Sequence, residues 1–133
     1  IKNGLEAMDV YSTFQVKANK IKDDLLNFLI ETKRNGKKIV GYGAAAKGNT
    51  LLNYAGVKPD LLPVIYDAAP SKQNKLSPGS HIPIKPPEEL IKNDPDFVLI
   101  LPWNIAEEVT LKLKNVVSSR TKFVTAVPKL SIL

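Results

Sequence analysis

Apolar residues recur at helical spacing near the start of the chain. Phe14, Ala18, Ile21, Leu25, Phe28 and Leu29 fall on one face of a 3.6-residue period. Ser12-Thr13-Phe14-Gln15 has the form of a capping box, a Ser followed three residues later by Gln. Lys33 and Arg34 sit where cations favour a helix C-terminus, and Gly36 supplies a stop. The pattern predicts one long helix over about 12–35.

From Lys38 onward the texture changes to short apolar runs alternating with helical stretches. Residues 38–42 and 62–66 read as strands, with a helix over 47–54 between them. The stretch 68–87 holds five prolines and one glycine and reads as a long loop. A short strand is expected near 82–84, where Pro83 argues for an edge position. Pro86-Pro87-Glu88-Glu89 opens a short helix that Asn93-Asp94-Pro95 closes. Phe97 to Leu101 is uninterrupted apolar sequence, as in a central parallel strand covered on both faces. A helix over 104–117 and a strand over 123–127 complete the series. Such alternation means βαβ units, and right-handed crossovers then favour a doubly wound sheet. The expectation is one Rossmann-like α/β domain over 1–133: a leading helix to residue 36, then a core of about five parallel strands.

Composition narrows the chemistry. The chain has 133 residues, 44% of them hydrophobic, no cysteine and a single histidine, which argues against disulfides and against thiolate or histidine metal sites. No apolar run approaches the roughly 20 residues that span a bilayer, and no signal peptide is visible, so a cytoplasmic protein without membrane partners is expected. The net charge of +6 comes from 17 Lys and two Arg, spread along the chain among acids. Because Arg is the residue suited to bidentate base recognition, this pattern speaks against nucleic acid as a partner. The chain starts at Ile1 without an initiator Met, which suggests a fragment or processed form.

The candidate site lies where the first strand meets the next helix. Gly41-Tyr42-Gly43-Ala44-Ala45-Ala46 fits the G-x-G-x-x-G/A fingerprint in the context it requires, after a strand and opening a helix. On this reading Gly41 allows the tight turn and Gly43 lets a phosphate approach the backbone. Ala44 to Ala46 permit close packing of helix on sheet, while the helix N-terminus offers free amides. Lys47 adds a charge, Asn49 an amide and Thr50 a hydroxyl. Asp67 follows Ala46 by 21 residues, close to the offset of a ribose-binding acid. Trp103 and Asn104 fall on the carboxyl edge of the sheet, although Asn104-Ile105-Ala106-Glu107 also has the form of a capping box. His81 lies in a proline-rich loop without an evident proton partner, so a structural or substrate-contact role is expected of it. Lys72 and Lys75 could reach a phosphate from the loop after Asp67, but exposed lysines are usually just solvated, and they are read as surface charges.

Three runs, Gly41 to Asn53, Pro78 to Ile84 and Pro95 to Asn104, keep their order and spacing in a way that resembles the C-terminal domain of sugar C-methyltransferases. The resemblance covers nearly the whole chain. It implies a parent enzyme that moves a methyl group from S-adenosylmethionine to a carbon of a nucleotide-linked keto-sugar. In that architecture a zinc-binding domain and a methyltransferase domain that holds S-adenosylmethionine precede this one. The cofactor and the catalytic groups would therefore lie outside this domain, which would bind no cofactor itself and would carry no catalytic residue. Its partners would be the nucleotide-sugar and the preceding domain. The chain departs from the family pattern at Ala68-Ala69-Pro70, at Lys72-Gln73-Asn74 and at Arg120-Thr121. The residues alone leave two alternatives open, a stand-alone nucleotide or NAD-type module and a structural domain without ligand.

Overall fold

A computed structural model describes residues 2–133, with side chains described from Phe14 onward. The leading helix α1 spans Lys2–Arg34. It begins well before the foreseen start, so the Ser12 box falls inside it, where no backbone amide needs a cap; the Ser12 side chain lies outside the described residues. Gln15, half-buried, instead donates to Asn19 and to the Tyr54 hydroxyl. The stop is where the sequence puts it: Gly36 has φ +69°, and Lys37 N–H donates to Thr32 O at 3.0 Å.

Six strands follow: β1 (Ile39–Tyr42), β2 (Ile65–Tyr66), β3 (Ile84–Lys85), β4 (Phe97–Ile100), β5 (Lys122–Thr125) and β6 (Ser131–Ile132). Their order is β3-β2-β1-β4-β5-β6. The first five are parallel, and only β6 runs antiparallel, beside β5. Helices α2 (Ala46–Ala55), α3 (Leu90–Asn93) and α4 (Ala106–Leu113) make the crossovers. The chain leaves β1 toward β2 on one side and reaches β4 on the other, so the topological switch point lies between β1 and β4.

Strand alternation sorts the core into two layers. Ile39, Leu99, Leu101 and Val124 pack against Leu25 and Leu29 of α1 and Leu52 of α2. Val40, Tyr42, Val98, Ile100 and Phe123 face Leu90 of α3 and Val109 and Leu113 of α4. The unbroken run at β4 is thus accounted for: successive residues supply opposite faces, and both are covered. Burying each such aliphatic chain is worth about 1.5–3 kcal/mol, and Leu25 and Leu29 together seat the C-terminal half of α1. Phe28 meets Phe97 edge to face at 5.1 Å.

Three expectations change. The strand over 62–66 shrinks to Ile65–Tyr66, because Pro63 has no N–H for a ladder and Leu62 N–H is taken in a turn by Lys58 O. The helix over 104–117 shortens to α4, preceded by a 3₁₀ turn over Trp103–Ile105. Val116, Val117 and two serines are poor helix formers, and they end it early. The sixth strand is additional. Pro83 does stand beside the sheet edge, since β3 is the outermost strand.

At the amino edge of the sheet, opposite the turn that follows β1, Arg120 donates to Asp94 Oδ2 (2.8 Å) and to Asp96. Lys38 N–H donates to Asp96 Oδ2 at 2.8 Å, and Thr121 Oγ1 to Pro95 O at 2.7 Å. The Arg120-Thr121 pair is therefore a strap joining the starts of β1, β4 and β5, remote from the turn. The Lys38 amide, and secondarily Arg120, holds the Asp96 carboxyl below its ordinary 3.8; Arg120 does the same for Asp94. A carboxyl lowered in the fold stabilises it above the unfolded value, and that contribution is lost as pH falls through the lowered folded value. The urea midpoint is accordingly expected to drop as pH falls below about 3.8. Asp96→Asn should flatten this acid limb, and an unaltered limb would remove Asp96 from its cause.

Among the described residues, no helix is long and apolar enough to cross a membrane.

Candidate functional site

β1 ends at Tyr42, and the turn Gly43-Ala44-Ala45 leads into α2 with no side-chain cap at Ala45. The first amides of α2 thus lack both an intrahelical acceptor and a capping side chain, and the nearest carboxylate, Asp67, bonds the Ala44 N–H just before the cap.

The glycines of this turn are explained by packing. Gly41 lies within β1, where a Cβ would come to 3.0 Å from Ile65 Cγ1. Gly43 has φ +86°, its N–H donates to Tyr66 O at 2.8 Å, and a Cβ would sit 2.6 Å from Pro102 Cδ. The side expected to admit a phosphate is therefore occupied by the proline ring. Close contact of helix and sheet belongs to Gly48, whose Cβ would lie 2.6 Å from Leu101 Cβ, and not to exposed Ala46. Tyr42 is buried on the opposite face among the α3 and α4 contacts.

Asp67 also turns inward. Its Oδ2 accepts from Ala44 N–H at 2.6 Å and its Oδ1 from Ala69 N–H at 2.7 Å. The carboxylate that sequence spacing offers to a ribose ties the turn to the loop that follows β2. That loop folds back over α2. Lys72 Nζ reaches Ala44 O at 2.9 Å, Asn53 Nδ2 reaches Pro78 O at 3.1 Å, and Lys58 Nζ reaches Gly79 O at 2.7 Å.

Between loop and helix lies a cleft of about 420 Å³. Its floor is aliphatic, made by Leu52, Ile65, Ile84 and Leu101. Its rim carries Ser71, Lys72, Lys75 and Ala44 to Ala46 at the start of α2. Among the described residues, no carboxylate lines it. Two ammonium groups and a helix N-terminus thus share one cavity without an anion, an arrangement that favours a negatively charged ligand. A second hollow, about 310 Å³, opens at the switch point between Tyr42-Gly43, Asp67-Ala68 and Pro102, with Glu108 and Lys112 on its α4 side.

Of the residues singled out in the sequence, Ala44, Ala45 and Asn49 line the main cleft. Gly41, Tyr42, Gly43, Lys47, Thr50, Asp67, His81, Trp103 and Asn104 do not. Lys47 is exposed at the start of α2. Thr50 Oγ1 donates back to Ala46 O at 3.0 Å, so its hydroxyl serves the helix. His81 is an exposed turn residue at φ +56° whose N–H donates to Ser77 O. Trp103 and Asn104 belong to the 3₁₀ turn, and no side-chain cap is made there or at the start of α4, so the capping box foreseen at Asn104 is absent. Conversely, Lys72 and Lys75 move from plain surface charges to the rim. The sequence signal for them was two lysines three apart in the loop after Asp67.

A family model described as the C-methyltransferase C-terminal domain matches residues 1–128. The C-methyltransferase NovU of Streptomyces niveus is 29% identical over 126 residues. That match covers 95% of this chain but only 30% of the relative, so the chain spans under a third of that protein's length. The crystal structure of UDP-D-quinovosamine 4-dehydrogenase from Vibrio fischeri superposes with a TM-score of 0.51 at 21% identity, over 73% of this chain and 93% of that one. This likeness is one of fold, a Rossmann-type sheet. The chain belongs to the C-methyltransferase C-terminal domain family.

Proposed function

We propose that this domain holds the diphosphate of a nucleotide-linked sugar, so that another part of the same polypeptide can methylate a sugar carbon. One observation carries the reading: the cleft brings Lys72, Lys75 and the uncapped start of α2 together with no carboxylate. Family membership supplies the reaction class, and NovU's name, a C-methyltransferase, agrees with it. The domain's part would be orientation. Fixing the diphosphate at one end of the ligand limits where the reacting carbon can lie, and such positioning is worth up to ~7–11 kcal/mol of barrier in well-aligned systems.

S-adenosylmethionine would supply the methyl group. Each Asp67 oxygen already accepts a backbone N–H, which ties the carboxylate to the turn and leaves fewer of its lone pairs for an adenosine ribose. We therefore assign the methyl donor and the catalytic groups to the rest of the polypeptide. The same contact, with Pro102 over Gly43, weighs against the NAD-type alternative. A cytoplasmic setting belongs to this reading.

Calorimetric titration with dTDP, S-adenosylmethionine and NAD tests it. The expected result is binding of dTDP in preference to the other two. A preference for NAD, or silence with dTDP up to millimolar concentration, contradicts it.

A further inference from the structure

Asn49 stands one turn into α2 and lines the cleft beside the aliphatic floor, inward of the exposed rim lysines. Its side-chain Oδ1 is buried and has no hydrogen-bond donor. Asn93 carries the other such oxygen among the described residues, but it stands at the end of α3, on the opposite side of the sheet. A buried acceptor without a donor is a standing cost to the fold, which an apolar side chain of similar shape would avoid. On the wall of a cavity, such an amide has an acceptor to offer to a ligand donor.

We infer that Asn49 reads the uncharged part of the ligand: with a small rotation its carboxamide accepts a hydrogen bond from an N–H or O–H on the nucleoside or the sugar. This rests on the anion-binding reading above, in which the rim takes the phosphates. It divides the cleft by chemistry. Lys72 and Lys75 give affinity for any diphosphate, and Asn49 gives preference for one that carries a donor beyond its phosphates. A site that hydrogen-bonds its ligand discriminates sharply against an analogue without the partner group, because the buried polar atom is then left alone.

The test compares inorganic pyrophosphate, dTDP and a dTDP-hexose on the unaltered chain, Asn49→Leu and Asn49→Ala. The unaltered chain should bind at least one nucleotide ligand tenfold or more tightly than pyrophosphate. Asn49→Leu should raise the melting temperature, leave pyrophosphate affinity within about twofold, and abolish the extra affinity, a loss of about 1.4 kcal/mol for tenfold. Asn49→Ala should lose the same preference without filling the cleft, which separates a lost acceptor from a steric block. A loss seen already with dTDP places the donor on the nucleoside; a loss confined to the dTDP-hexose places it on the sugar. If both variants keep the wild-type ratio, or the unaltered chain shows no preference, Asn49 does not have this role. If the unaltered chain fails to bind pyrophosphate at all, the anion-binding reading falls first and takes this inference with it.

Discussion

Gly43→Ala is expected to destabilise the domain by about 2–5 kcal/mol, a large share of the stability of a single domain. Two independent penalties add. At φ +86° a side chain meets its own backbone, which costs about 1–2 kcal/mol. The new Cβ would also stand 2.6 Å from Pro102 Cδ and 2.9 Å from Cγ, and overpacking of that kind costs about 1–3 kcal/mol. Urea denaturation measures the sum. Adding Pro102→Ala should restore the packing part and leave the strain, so the double variant is expected to lie between Gly43→Ala and the unaltered chain. A loss below about 1 kcal/mol for Gly43→Ala would mean that the turn yields easily and that packing does not explain its glycine.

The second large effect concerns ligand affinity. Reversing both rim lysines, Lys72→Glu with Lys75→Glu, is expected to weaken dTDP binding at least a hundredfold, about 2.7 kcal/mol. A hydrogen bond to a charged group is worth about 1.5–3 kcal/mol, and each reversal adds repulsion in a cavity that holds no compensating cation beyond the helix terminus. Lys47→Ala should change affinity less than threefold, because Lys47 is exposed and absent from the cleft wall. The fold should tolerate the reversals, since Lys72 and Lys75 are exposed and Lys72 contributes one hydrogen bond, to Ala44 O. Equal sensitivity at Lys47 and at the rim pair would argue for diffuse attraction by a basic surface. Raising the salt should weaken what remains of binding in every variant, as screening requires.

Much of the fold is legible in the sequence because its signals are local. The run Phe97 to Leu101 reads as a strand buried on both faces, and Gly41 to Ala46 as a turn from strand to helix. Where local signals compete, they mislead. Ser12 has the form of a cap, but helix-forming residues before it carry α1 back to Lys2. Asn104 has the form of a cap too, yet the chain takes a 3₁₀ turn after Pro102.

The site is only half legible, for a different reason. The position of Asp67 at the end of β2 follows from spacing, but the direction of its carboxylate does not. Whether it faces a ribose or the Ala44 amide depends on how the turn and the following loop close on each other. Lys72 and Lys75 become rim residues only because that loop is tied back onto α2 by Asn53 and Lys58, contacts between residues more than twenty positions apart. Likewise, Gly43 satisfies a ligand-binding fingerprint, yet its neighbour is Pro102, which no pattern within the turn reveals. A fingerprint fixes the backbone geometry; tertiary contacts decide what fills the space beside it.

The most direct measurement is the map of backbone amide shifts when dTDP is added to the ¹⁵N-labelled domain. The cleft predicts that changes concentrate at Ala44 to Ala46, Asn49 and Ser71 to Lys75, and that the Lys72→Glu, Lys75→Glu variant loses them. Changes centred instead on Tyr42, Gly43, Ala68, Glu108 and Lys112 would put the ligand in the hollow at the switch point and contradict the account.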